Sequence, residues 1–101
     1  MPFPAMRQAG RRKLNSHNYT YLLRCADNSL YCGWTNRLTE RVAHHNEGTG
    51  AKYTRSRRPV ELVYYEEFDT REEAMQREAA IKRYPKEQKE ALVEEFRRKH
   101  V

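Results

Sequence analysis

The chain has 101 residues, 20 of them Lys or Arg and 14 Asp or Glu, with a formal net charge of +6, which fits one compact domain and leaves no room for a second. No apolar run is long enough for a membrane-spanning helix, and none follows the basic N-terminus to make a secretory signal. Two cysteines without such a signal are not a disulfide framework, so the expectation is a soluble protein of a reducing compartment, the cytoplasm.

Residues 1–17 carry Arg7, Arg11, Arg12 and Lys13, no acid and no periodicity, and read as a basic, disordered leader. Residues 19–26, rich in Tyr, Leu and Thr, read as a strand, and Asp27-Asn28-Ser29 is turn chemistry. A second strand over 30–35 completes a hairpin. Asn36 is placed to cap a helix over 37–46, in which Leu38 and Val42 lie one turn apart. Gly48 and Gly50 break that helix and open a basic loop that Pro59 closes. A third strand over 60–68 sets Leu62 and Tyr64 on one face and Val63 and Tyr65 on the other.

Thr70 followed by Glu73 is a capping-box pattern, opening a helix whose apolar side is Ala74, Met75, Ala79 and Ile81. Pro85 ends it and sits in the first turn of a last helix reaching about residue 97, with Ala91, Leu92, Val93 and Phe96 as packing residues. The expected fold is α+β: a three-stranded antiparallel sheet flanked by helices in the order ββαβαα, occupying 18–97 and followed by a basic tail over 98–101.

The chain has no Gly-rich phosphate loop and no Cys or His spacing for zinc, and Cys25 and Cys32 read as plain core or edge thiols. The remaining chemistry lies in Tyr, Arg, His and one carboxylate. Arg41 and His45 are four apart on one helix face, beside the Leu38/Val42 stripe that must turn towards the sheet. Glu78 lies beside the apolar stripe of its helix, where a carboxylate needs a partner: an Arg such as Arg41, a backbone donor or a metal. Lys52, Arg55, Arg57 and Arg58 crowd around Tyr53. Such a loop is either a solvated surface or a contact for phosphates, with Tyr available to stack on a base.

Tyr19-Thr20-Tyr21 on the first strand and Tyr31-Cys32-Gly33 on the second resemble the two signature tripeptides of the GIY-YIG nuclease superfamily. Arg41, His45-Asn46 and Glu78-x-x-Ile81-Lys82 follow in order, and the likeness covers roughly 18–97. The run Gly50-Ala51-Lys52-Tyr53-Thr54-Arg55, with Pro59, is similar to the small single-domain bacterial branch of the YhbQ type. The chain departs from the pattern at Tyr19, Thr20 and Cys32, and Trp34 stands where some members have Lys.

The resemblance implies a metal-dependent endonuclease acting on nucleic acid, DNA favoured over RNA, in a structure-directed or repair-related role. It implies one Mg²⁺ or Mn²⁺ ion on Glu78, a phosphate fork from Arg41, and a water proton taken by Tyr21 or Tyr31 and relayed by His45. Gly33 would let the backbone approach the substrate, and Lys52, Tyr53, Arg55, Arg57 and Arg58 would hold the flanking strand. A domain this small implies weak intrinsic specificity or a protein partner that supplies it. The competing expectation is a nucleic-acid-binding module of the same fold without catalysis.

Overall fold

A computed structural model describes residues 17–100; the basic leader expected over 1–17 lies, apart from His17, outside the described residues, as does Val101. Strands β1 (Asn18–Arg24) and β2 (Leu30–Thr35) form the expected hairpin. Its turn is held by Asp27, whose Oδ1 accepts from the Ser29 N–H at 3.0 Å, while Asn28 takes the left-handed φ of 71° that Asn tolerates. Strand β3 (Glu61–Phe68) pairs antiparallel with the other side of β1, giving the order β2-β1-β3. The α+β architecture is therefore as expected. His17 already belongs to it, through a 2.6 Å contact between its Nδ1 and Glu67.

Helix α1 (Leu38–Glu47) packs on one face of the sheet, and α3 (Arg71–Lys82) and α4 (Lys86–Lys99) pack on the other. The central strand alternates between the two cores. Tyr21 and Leu23 join Cys25, Val60, Leu38 and Val42, whereas Leu22 joins Cys32, Tyr64, Ile81 and Val93. The Thr20 hydroxyl, fully buried, donates to the Ala74 carbonyl at 2.7 Å and seats α3 on β1.

Several local expectations are corrected. A bulge in the β1–β3 pairing leaves Val63 as an extra residue, with Leu22 opposite Tyr64 and Leu23 opposite Leu62. The bulge resets the alternation, so Leu62 and Tyr65 share the α1 core and Val63 and Tyr64 the α3/α4 core. Asn36 does not cap α1. Arg37 holds the N-cap position, and its N–H is taken by Thr35 Oγ1 at 3.0 Å.

The basic loop contains a helical turn, α2 (Lys52–Arg55), whose first acceptor is the Ala51 carbonyl. On α3 the capping box between Thr70 and Glu73 is present, yet Met75 is 43% exposed and Ala79 is exposed, because the buried stripe runs through Ala74 and Ile81. Pro85 is the N-cap of α4 rather than part of its first turn, and Ala91 faces solvent. Arg98 and Lys99, read as tail, continue α4.

Candidate active site

Four of the five singled-out residues meet on the α1 face at the β2 edge. His45, on the last turn of α1, is fully buried, and its Nε2 lies 2.9 Å from the Tyr21 hydroxyl. Its Nδ1 lies 2.8 Å from the Oγ1 of Thr54, itself fully buried on α2. Arg41 lies one turn before His45, and its charge acts on the Tyr21 hydroxyl, opposing the effect of burial there. Tyr31 packs at a tilt against the same group, 5.2 Å from the His45 ring and 6.5 Å from the Tyr21 ring.

Glu78 comes from the opposite face. Helix α3 crosses behind β1 and β2, where the Cys32 thiol points at the Glu78 carbonyl at 3.8 Å. The carboxylate keeps 19% of its surface and pairs with Lys82 at 3.4 Å, not with Arg41, so the internal Arg41–Glu78 ion pair is not formed. Its charge is still felt at both Tyr21 and Tyr31.

Gly33 stands opposite Tyr21 in the β1–β2 register. A Cβ there would lie 2.6 Å from the Tyr21 oxygen and 2.8 Å from its Cζ. The missing side chain thus serves Tyr21, whose ring lies across β2 to reach His45, in addition to any access it offers a ligand. Gly33→Ala is expected to destabilise the domain by about 1–3 kcal/mol through overpacking. It should also break the Tyr21–His45 contact, which denaturant unfolding and the Tyr21 and His45 NMR resonances would report. Gly50 does the same for His45, since a Cβ there would lie 2.6 Å from Nδ1.

Burial sets the protonation states. It lowers His45 to about 4, with help from the Arg41 and His44 charges, so the imidazole is neutral near pH 7. It raises Tyr21 to about 12, against the pull of Arg41. Tyr31 is also raised by burial, with Lys82 and Arg41 opposing. The buried thiols are not nucleophiles: burial pushes Cys32 up to about 12 and raises Cys25.

The basic residues divide into two groups. Arg57 lies 3.8 Å over the Tyr53 ring and donates to Asp27 Oδ2 at 3.0 Å. Arg58 folds back to the α1 C-terminus, donating to the carbonyls of Arg55 and Asn46 and filling the space above Gly48, whose φ is 88°. Lys52 and Arg55 are exposed and make no ion pair among the described residues. Tyr53, 39% exposed, stacks on Tyr31 at 5.9 Å and so joins this basic surface to the buried dyad.

The sequence reading placed Gly50, Thr54 and Lys82 in motif runs but gave none of them a role in the site. Lys82 opposes the burial of Tyr31 from α3 and carried no signal beyond its spacing from Glu78. A surface groove of about 940 Å³ between α1 and β3 contains none of the five residues.

This constellation has a counterpart in known proteins. Residues 17–91 match the family described as the GIY-YIG catalytic domain, a span containing Tyr21, Tyr31, Arg41, His45 and Glu78. The chain belongs to the GIY-YIG family. It is 53% identical over 85 residues to a UPF0213 protein of Bacillus pumilus (strain SAFR-032), covering 83% of this chain and 87% of that one. The solution NMR structure of the protein EF2693 from E. faecalis matches with a TM-score of 0.56 and 41% identity, over 89% of this chain and 94% of that one.

The NMR structure of the UPF0213 protein BH0048 from Bacillus halodurans gives a TM-score of 0.51 and 42% identity, over 77% and 83%. These relatives support the small single-domain branch that the loop run suggested. A GIY-YIG domain is in general a hydrolytic endonuclease domain, so the substrate class is nucleic acid, and such domains generally use a divalent metal. No described helix is long and apolar enough to cross a membrane.

The donor set fits such an ion in one way. Among the described residues no group of three or more His, Cys, Asp or Glu side chains is arranged to hold a metal. Glu78 offers one hard carboxylate at a partly open rim. Mg²⁺ characteristically takes one or two carboxylates and completes its shell with water and substrate phosphate, so a single Glu is a sufficient protein ligand.

Proposed function

We propose that this protein is a metal-dependent endonuclease of the cytoplasm that hydrolyses phosphodiester bonds in DNA in preference to RNA, directed by substrate structure, as in repair. The observation that supports it most is the buried Tyr21–His45 pair, 2.9 Å apart, with Arg41 beside it and Glu78 at the strand edge.

In this reading Glu78 holds the ion. Mg²⁺ or Mn²⁺ there supplies neutralising charge at the scissile phosphate and the leaving oxygen. Arg41 presents a planar fork of donors to the same phosphate, where charge grows in the transition state. Water is the nucleophile. A phenol raised to about 12 cannot take the water proton unaided, so Tyr21 accepts it as its own proton passes to His45 Nε2. Tyr31, half-buried between His45 and Tyr53, orients the water and the phosphate. Lys52, Tyr53 and Arg55 hold the flanking strand, with Arg57 and Arg58 fixing that surface. These are contacts to backbone and ring faces, which position nucleic acid without reading its sequence. Specificity would then come from substrate shape or from a protein partner.

The test is cleavage of single-stranded, duplex, flap and nicked DNA and of RNA, at low salt, with Mg²⁺, Mn²⁺ or EDTA. Metal-dependent cutting of at least one DNA form is expected, with Arg41→Ala slower by about 10²–10³. Salt-sensitive binding that ignores metal, with no cutting of any substrate, would overturn the reading in favour of a silent binding module.

A further inference from the structure

The hydrogen-bond chain through His45 has a direction, and a residue outside the five sets it. The Ala51 carbonyl can only accept, and the Thr54 hydroxyl lies 3.0 Å from it. A hydroxyl has one hydrogen. Thr54 therefore donates to Ala51, and towards His45 Nδ1, 2.8 Å away, it has only a lone pair to offer. His45 must carry its proton on Nδ1 to satisfy that contact, which leaves Nε2 bare.

The far end agrees. The Tyr21 hydroxyl, 2.9 Å from Nε2, has a hydrogen to give to that bare nitrogen. Both His45 and Thr54 are fully buried, so water does not substitute for either partner.

We infer that Thr54 is a positioning residue that fixes His45 in the Nδ1–H tautomer, so that Nε2 is open to receive the Tyr21 proton. This rests on the proposed nuclease chemistry for its purpose, though not for its geometry. The transfer balances: the O–H bond of Tyr21 breaks, an N–H bond forms at Nε2, and the resulting imidazolium keeps its Nδ1–H on Thr54. In the other tautomer Nε2–H would point at the Tyr21 oxygen and no proton could pass. The short α2 places the Thr54 hydroxyl on the Ala51 carbonyl, which also accepts from the Thr54 and Arg55 N–H groups.

The experiment is long-range ¹H–¹⁵N correlation NMR of the histidine rings at neutral pH in the wild type, Thr54→Ser and Thr54→Val, with His45→Gln to assign the His45 signals. The wild type and Thr54→Ser are expected to show Nδ1 protonated and Nε2 bare. Thr54→Val, similar in shape but without the hydroxyl, is expected to shift His45 to Nε2–H or to a mixture. Its kcat should fall at least about tenfold with KM unchanged, since a histidine base in the wrong tautomer can cost up to about 10⁴. A wild-type His45 protonated on Nε2 would overturn the assignment even if Thr54→Val failed to fold. So would a folded Thr54→Val with the tautomer unchanged. If the tautomers behave as stated while the wild type cuts nothing, the nuclease reading fails and the role of Thr54 in setting the tautomer stands.

Discussion

Glu78→Ala is expected to abolish metal-stimulated cleavage while leaving the domain folded. Charge neutralisation by a bound ion contributes several kcal/mol to a transition state, so the loss should be at least about 10²-fold. The folding cost is small because the carboxylate's one ion pair among the described residues is with Lys82, an i,i+4 partner that is itself more than half exposed. Such pairs contribute about 0.3–0.5 kcal/mol, which corresponds to a Tm change of no more than about 4 °C in a domain of this size.

The neighbouring Arg77 marks the contrast. Its guanidinium donates to Glu66 at 3.0 and 3.2 Å and to the Tyr84 hydroxyl at 3.2 Å, an anchor of α3 against β3. Glu78 has no comparable hold on the fold. Cleavage and thermal unfolding measured on the same preparation of Glu78→Ala decide the matter. Retained cleavage would remove Glu78 from the chemistry, and a Tm loss above about 10 °C would make it a structural carboxylate.

What was legible in the chain was whatever depends on near neighbours. The hairpin turn at Asp27-Asn28-Ser29 and the Thr70/Glu73 capping box are satisfied within three residues, so composition and spacing reveal them. His45 could be turned towards the sheet because it repeats the Leu38/Val42 stripe of its own helix. The features that escaped depend on distant partners. Val63 is bulged because of how β3 meets β1, and that one residue moved Leu62 and Tyr64 to opposite cores. Thr54 sits among Lys, Tyr and Arg in a run that looks like solvated loop. Its burial comes from contact with a histidine nine positions earlier. The hold of Arg58 on the fold, over the left-handed Gly48 and on the Asn46 carbonyl, likewise depends on residues ten or more positions away.

The stability of the domain should fall on mild acidification because of His45. Its folded value is depressed from 6.5 to about 4, so between those limits the unfolded chain binds a proton that the native state refuses. Stability then rises with pH across this window: it is fully present above about pH 6.5 and is lost progressively as pH falls towards 4. A shift of this size corresponds to about 3 kcal/mol, a large share of the stability of a small domain. Glu90 contributes in a different window. Held down to about 2, first by its hydrogen bonds from Arg24, it loses stability only as pH falls below its ordinary 4.5. Denaturant unfolding at about pH 7, 6, 5 and 4.5 therefore isolates the histidine. His45→Gln, though less stable throughout, should show a flatter profile between pH 7 and 5. A wild-type profile that is already flat there would mean that His45 charges in the folded state, and a charged imidazole has no bare Nε2 to receive the Tyr21 proton.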